Sequence, residues 1–336
     1  MAKYLIVGPS WVGDMVMAQS LFKSVKQQDP NAIIDVIGPA WSSPILERMP
    51  EVRNAITLKT GHGEWGIATR RQLGHSLRSE QYDQAIVLPR SWKSALVPFF
   101  AKVPKRIGYH GEQRYLLLNE RRKLDKTILN QTVKRFVSLG VNKSEAYPPQ
   151  NLPNPALTVD KGNQAALYQN HGLDSTRPAV AMMAGAEYGP AKQWPLAHFH
   201  ELAERLIAQG YQVWILGGPK DIDDGNIIIK DLGPHAHNLC GKTQLVDAID
   251  LLAAAELAVS NDSGLMHVAA AVGTKVHGIY GSTSEAFTPP LTDNKVIHNL
   301  HLQCSPCFKR TCPLEHTDCL NKLKPEQIIQ SIQLDR

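Results

Sequence analysis

Tyr4-Leu5-Ile6-Val7 is a short unbroken apolar run, followed by Gly8-Pro9-Ser10-Trp11-Val12-Gly13 and then by Met15, Ala18, Leu21, Phe22 and Val25. An apolar run of that length bounded by Gly and Pro predicts a buried strand, and the spacing by threes and fours after it predicts a helix from Asp14 to about Gln27. Further strands are expected at 33–37 and 84–88. Near Tyr147 the chain becomes YPPQNLPNP, whose prolines disfavour helix and sheet, so a linker is expected there. The alternation then restarts. Strands are expected at 179–183, 211–216, 257–260 and 275–280, with helices from Leu196 to Gly210 and over 244–255 and 264–272. This pattern predicts an α/β protein of two Rossmann-like, doubly wound domains, 1–155 and 156–336. Such sheets bind ligands beyond the carboxyl ends of their strands, here facing a shared central cleft.

Four loops beyond expected strands could carry chemistry. The first, Gly8 to Asp14, has Gly13 for close backbone approach and an aspartate at a helix start, where it could equally serve as an N-terminal cap. It lacks both G-x-G-x-x-G and G-x-x-x-x-G-K-[ST], which argues against NAD binding and ATP hydrolysis. The second, Gly185-Ala186-Glu187-Tyr188-Gly189-Pro190-Ala191-Lys192, combines small residues, a cation and a following helix start, a plausible phosphate cradle. The third holds Gly218 and Asp221, an acid suited to ribose hydroxyls; its D-x-D triplet is too short to assign a metal. The fourth, Ser260 to His267, places Asp262, Ser263 and Gly264 at a helix N-terminus whose free amides can meet an anion. His267, one turn in, reads as a core histidine by pattern alone. No nucleophile stands paired with a base, so single displacement fits better than a covalent intermediate.

Charge sharpens one region. Between Arg90 and Arg135 there are twelve Lys/Arg against three Asp/Glu, a local excess of 12 − 3 = +9 in a chain whose net charge is +5. That points to a solvated face or to an anionic partner, and no nucleic-acid motif accompanies it. The N-terminus is too short in apolar residues for a signal peptide, and no run approaches the ~18 apolar residues of a membrane span, so the expectation is a cytoplasmic protein.

The stretches GPSWVGDMVMAQSLF, LPRSWKSALVPFFAKVPKRIGY, GAEYGPAKQWP, SNDSGLMHVAAAVG and FTPPL together resemble the heptosyltransferases of glycosyltransferase family 9. The likeness runs in order from about Lys3 to Leu291, and the PSWVGDM and GAEYGPAKQWP forms favour type II over types I and III. The resemblance implies a GT-B fold. It implies inverting transfer of L-glycero-D-manno-heptose from ADP-heptose to heptosyl-Kdo2-lipid A, with no cofactor required for the chemistry. By the same resemblance Asp14 is the general base, Lys192 contacts the donor diphosphate, Asp221 the ribose and Thr243 the adenine. Asp262, Ser263 and Gly264 lie around the diphosphate and heptose, and Gly13, Gly185, Ala186, Gly218 and His267 belong to the same loops. Arg90, Lys93, Arg106 and Arg114 are then candidates for the anionic acceptor, with peripheral docking on the inner leaflet through charge. A sugar-nucleotide epimerase on the same fold is the alternative activity.

Past Leu291 the chain departs from the best-known members. Cys304, Cys307, Cys312 and Cys319 form C-x2-C-x4-C-x6-C, holding four of the five cysteines. A reducing compartment gives no reason to cluster thiols for disulfides, and Cys304-Ser305-Pro306-Cys307 has the spacing of one zinc-binding turn. His316 could replace a ligand. The alternative is four free thiols; either way the cluster is expected to stabilise the fold and take no direct part in transfer.

Overall fold

In the computed structural model, residues 1–61, 64–141 and 149–334 are described. Tyr147 and Pro148 of the expected linker lie outside them. The chain divides into two compact units, Met1–Thr158 and Val159–Arg336.

The first unit contains six parallel strands, β1 (Lys3–Val7), β2 (Ile33–Gly38), β3 (Val52–Thr57), β4 (Gln84–Val87), β5 (Lys105–Tyr109) and β6 (Glu120–Arg122), in the spatial order β3-β2-β1-β4-β5-β6. The helix Val12–Gln28 follows β1; Met15, Ala18, Leu21, Phe22 and Val25, the residues that predicted it, are all buried. Its Leu21 stands so close to Gly140 that a Cβ there would meet the Leu21 side chain, so glycine allows the helix Thr132–Gly140 to pack tightly.

The second unit repeats the plan with β7 (Ala179–Met183), β8 (Gln212–Ile215), β9 (Ala236–Asn238), β10 (Leu257–Asn261), β11 (Lys275–Ile279) and β12 (Lys295–His298), all parallel, in the order β12-β11-β10-β7-β8-β9. Each unit therefore has the doubly wound order 3-2-1-4-5-6 counted within itself. Strand order reverses between β1 and β4 in the first and between β7 and β10 in the second, and these reversals are where such sheets open a ligand-binding crevice. The segment after β12 belongs to this core. Cys319, Leu320, Leu323, Ile328 and Ile332 pack with Trp194, Phe199 and Leu206.

Five strands, β3, β5, β6, β9 and β12, were absent from the pattern of apolar runs. They carry polar or charged residues, as in KRIGY, ERR and AHN, and four of them (β3, β6, β9 and β12) are sheet edges. An edge strand buries less of itself, and charges there discourage pairing with other chains.

Candidate functional site

At the reversal point of the second unit, the loops after β7 and β10 are stitched together by Asn261. Its Oδ1 accepts from the Trp194 backbone N–H at 3.1 Å, and its amide donates to the Ala184 carbonyl at 2.7 Å. Both groups are buried, so the bonds fix the two loops against each other. The register brings Lys192 to Asp262: the ammonium donates to Asp262 Oδ2 at 2.7 Å and approaches the Asp262 carbonyl at 3.3 Å. The Lys192 side chain is 15% exposed and that of Asp262 7%. The ammonium also lies 5.1 Å from the Tyr188 ring centre, a favourable cation–π placement.

Ser263 is the N-cap of the helix Gly264–Ala271, and its hydroxyl lies 3.1 Å from that of Ser260 instead of capping. The helix's first N–H groups thus lack a side-chain cap beside the Lys192–Asp262 pair. His267 is buried, and its Nδ1 has no hydrogen-bond partner among the described residues. Burial first, then the nearby Lys192 charge, pushes its pKa down to about 4 against an opposing pull from Asp262. The ring is therefore neutral at neutral pH and offers hydrogen bonding, not positive charge.

Asp221 stands between the ends of β7 and β8. Its Oδ2 accepts from the Gly218 N–H at 2.8 Å, and burial raises its pKa from the ordinary carboxylate value. Glycine is required around it: a Cβ on Gly185 would stand 2.8 Å from Asp221 Oδ1, and one on Gly217 2.6 Å from Oδ2. Ala186 lies half-buried beside Gly185. Thr243, between β9 and the helix Leu245–Ala254, directs its hydroxyl to the Leu239 carbonyl at 3.4 Å.

In the first unit the reversal point lies between the loop after β1, which leads to Gly13 and Asp14, and the loop after β4, which carries Arg90 and Lys93. Trp11, not Asp14, is the N-cap of the helix Val12–Gln28, and Gly13 is buried in its first turn. Asp14 stands half-buried in that first turn.

The basic region is less open than its charge suggests, and of the four acceptor candidates Arg106 and Arg114 turn inward. Arg114 is 2% exposed; it donates to the carbonyls of Pro89 at 2.7 Å and Tyr109 at 2.7 Å and to Ser94 Oγ at 3.0 Å. Burial pushes its pKa down to about 10. Arg106 donates to Leu117 O and Val103 O, and buried Arg122 donates to Val141 O at 2.9 Å. The guanidinium fork satisfies main-chain carbonyls in several directions, a task these irregular connections need done. Arg90 is exposed, while the Lys93 ammonium donates to the Glu64 carbonyl at 2.8 Å. A recess of about 280 Å³ is lined by Arg90, His110, Arg114, Tyr115 and Arg121. Arg121, which lies over the Tyr115 ring, was not singled out by its sequence context.

Arg114→Leu is expected to lower the melting temperature by several degrees, because it removes the buried charge-assisted hydrogen bonds to Pro89 O, Tyr109 O and Ser94 Oγ, at about 1.5–3 kcal/mol each. Thermal unfolding checks this, and an unchanged melting temperature would return Arg114 to a purely binding role.

The four clustered cysteines line one cavity with His316. All five cysteines are free. Burial, and then the proximity of Cys304, Cys307 and Cys312, pushes the Cys319 thiol up to about 11; Cys312 is held below its ordinary value, chiefly by the backbone N–H of Thr317 and then by neighbouring N–H groups.

The sequence profile of glycosyltransferase family 9 (heptosyltransferase) matches residues 70–318. Lipopolysaccharide heptosyltransferase 2 of Salmonella typhimurium (strain LT2) is 49% identical over 298 residues, 86% of each chain. The chain belongs to glycosyltransferase family 9. Lipooligosaccharide heptosyltransferase 2 of Haemophilus influenzae is 47% identical over 88% of each chain. The solved structure of E. coli ADP-heptose lps heptosyltransferase II superposes with a TM-score of 0.88 at 42% identity, covering 99% of this chain and 98% of that one. Two parallel six-stranded sheets with flanking helices are thus the GT-B fold, and the protein is a glycosyltransferase of the heptosyltransferase family. No helix among the described residues is long and apolar enough to cross a membrane.

Within this family frame, Asn261 and Tyr188 are the residues at the second-unit loops that sequence reasoning missed. Asn261 sits inside the quoted SNDSG stretch, and an amide directly before an acidic N-terminal turn was the available signal.

Proposed function

We propose that the chain transfers L-glycero-D-manno-heptose from ADP-heptose to heptosyl-Kdo2-lipid A in assembly of the lipopolysaccharide inner core. The observation that carries this reading is the 49% identity to a lipopolysaccharide heptosyltransferase 2 over 86% of the chain, which spans both units. Inversion at the anomeric carbon follows from one displacement. The acceptor oxygen bonds to that carbon as its bond to the diphosphate breaks, the electron pair leaves with ADP, and Asp14 takes the hydroxyl proton.

The second unit supplies what the leaving diphosphate needs. Lys192 holds its charge against Asp262 at 2.7 Å until an anion arrives, and the uncapped amides after Ser263 add donors. Neutral His267 can donate or accept there without competing for charge. Asp221 and Thr243 lie beyond β8 and β9, where a nucleoside would extend from the diphosphate. This arrangement supports leaving-group stabilisation by lysine and amides, without a metal in the chemistry.

The first unit offers its recess to an anionic acceptor through Arg90 and Arg121, with Lys93 on the same loop as Arg90. The phosphates of lipid A and the carboxylates of Kdo are anions of the right kind, and the same charges would favour peripheral docking on the inner leaflet. Replacing both Arg90 and Arg121 with Ala is expected to raise the acceptor KM several-fold and flatten its salt dependence, leaving the donor KM unchanged. Initial rates across a salt series check this, and an effect confined to the donor would move the acceptor elsewhere.

Release of ADP from ADP-heptose only when heptosyl-Kdo2-lipid A is present would support transfer. Interconversion of the donor sugar without any acceptor would favour an epimerase instead.

A further inference from the structure

The stretch from Asn299 to Thr317 contains no helix or strand, yet it is hydrogen-bonded to the second unit, as by Ser305 Oγ to the Gly281 carbonyl. Long connections of this kind need something other than a sheet ladder to hold them. Cys304, Cys307 and Cys312 lie along it, and Cys319 follows on the short helix Asp318–Asn321, buried in the core of the unit. The four side chains, separate in sequence, converge on one cavity of about 20 Å³. That is room for a single water-sized body. It suits one ion.

The donor set is informative. Four cysteines and no carboxylate line the cavity, which selects a borderline or soft metal in tetrahedral geometry. His316 also reaches it, but its Nδ1 already accepts from the Asp318 N–H at 2.9 Å, leaving the thiols as the better set. Backbone N–H groups from Leu314 to Thr317 face the Cys312 sulfur, the arrangement that stabilises a metal-bound thiolate. Among the described residues no group of three or more His, Cys, Asp or Glu side chains stands placed to hold a metal ion as the side chains now lie. Binding therefore requires the thiols to turn inward over the small space between them.

The same stretch holds the loop on which Lys192 stands. The Arg310 carbonyl accepts from the Ala191 N–H at 3.0 Å, and the Phe308 carbonyl accepts from the Tyr188 hydroxyl at 3.0 Å. A Cβ on Gly189, whose φ is +152°, would stand 2.6 Å from the Arg310 carbonyl oxygen, so only glycine permits this approach. The Arg310 guanidinium and the Lys192 ammonium both pack on the Tyr188 ring, at 5.2 and 5.1 Å. Ala191 itself borders the cysteine cavity.

We propose that Cys304, Cys307, Cys312 and Cys319 bind one zinc ion, and that this ion fixes the 302–317 loop so that the loop in turn holds Lys192 in position. Binding displaces the four thiol protons to solvent and leaves a tetrathiolate zinc centre, with no change of oxidation state. The cluster is then a positioning device and contributes no atom to the reaction. Metal binding stands independently of the proposed function, whereas the effect on Lys192 rests on its reading as the diphosphate contact.

The test uses the full-length protein purified without added metal. Elemental analysis should find about one zinc per chain, and a thiol reagent should titrate Cys304, Cys307 and Cys312 only after a strong chelator or mercurial releases the ion. Cys304→Ser with Cys307→Ser should lose the zinc, melt lower and bind ADP several-fold more weakly, while Cys240→Ser, outside the cluster, keeps it. Should the double variant not fold, chelator-stripped wild type resupplied with zinc chloride replaces it, and ADP affinity should fall and recover. Metal-free protein with freely titrating thiols, two disulfides, or stoichiometric iron in place of zinc would overturn the zinc site. Zinc that can be removed with no change in ADP affinity would overturn the link to Lys192 alone.

Discussion

Asp14→Asn is expected to lower kcat by about 10²–10⁴-fold, the usual contribution of a positioned general base, with ADP affinity nearly unchanged. The substitution keeps the shape of the side chain and its place in the first turn of the helix Val12–Gln28. It removes the negative charge and with it the ability to take a proton. Asp14 stands in the first turn but is not the N-cap, which is Trp11, so loss of its charge from the helix terminus should cost about 0.3–1 kcal/mol. Steady-state rates, ADP titration and a melting curve on one preparation separate the effects. A variant with near-normal kcat would assign Asp14 to the helix terminus alone, and one with low kcat but a collapsed melting temperature would assign it to the fold.

Lys192→Ala is expected to raise the donor KM and lower kcat together, because a cation on the diphosphate acts in the ground state and more strongly as charge develops. It should also destabilise the protein. Lys192 and Asp262 form a largely buried pair, and removing one partner leaves an uncompensated carboxylate, at about 3–5 kcal/mol. Stability and catalysis can be separated by adding Asp262→Asn. The double variant should recover much of the melting temperature but none of the transfer rate. Recovery of both would mean that the lysine serves only to neutralise Asp262, and unchanged kinetics in the single variant would remove it from the site.

Much of this was legible in the chain because apolar runs and helical spacing report burial directly. β1, β2, β4, β7, β8, β10 and β11 are the inner strands those runs mark, and the loops beyond β1, β7 and β10 are where Asp14, Lys192 and Asp262 lie. Strand order was not legible, since local pattern does not say which strand lies beside which; the adjacency of β7 to β10 is what joins Lys192 to Asp262. Charge was the least faithful guide. The excess over 90–135 left a solvated face and an anionic partner both open, but Arg106, Arg114 and Arg122 turn inward to main-chain carbonyls, and a count of charges cannot distinguish those roles. The cysteine spacing showed that a metal turn was chemically possible. That its loop braces Ala191 and Tyr188 depends on tertiary contacts with no local signature.

The central claim is the transfer itself, and mass spectrometry of defined acceptors incubated with the pure protein and ADP-heptose tests it most directly. Heptosyl-Kdo2-lipid A should gain the mass of one heptose with equimolar release of ADP, while Kdo2-lipid A without the first heptose should remain unmodified. Addition to Kdo2-lipid A in place of the heptosylated acceptor, or no mass gain on either, would contradict the account.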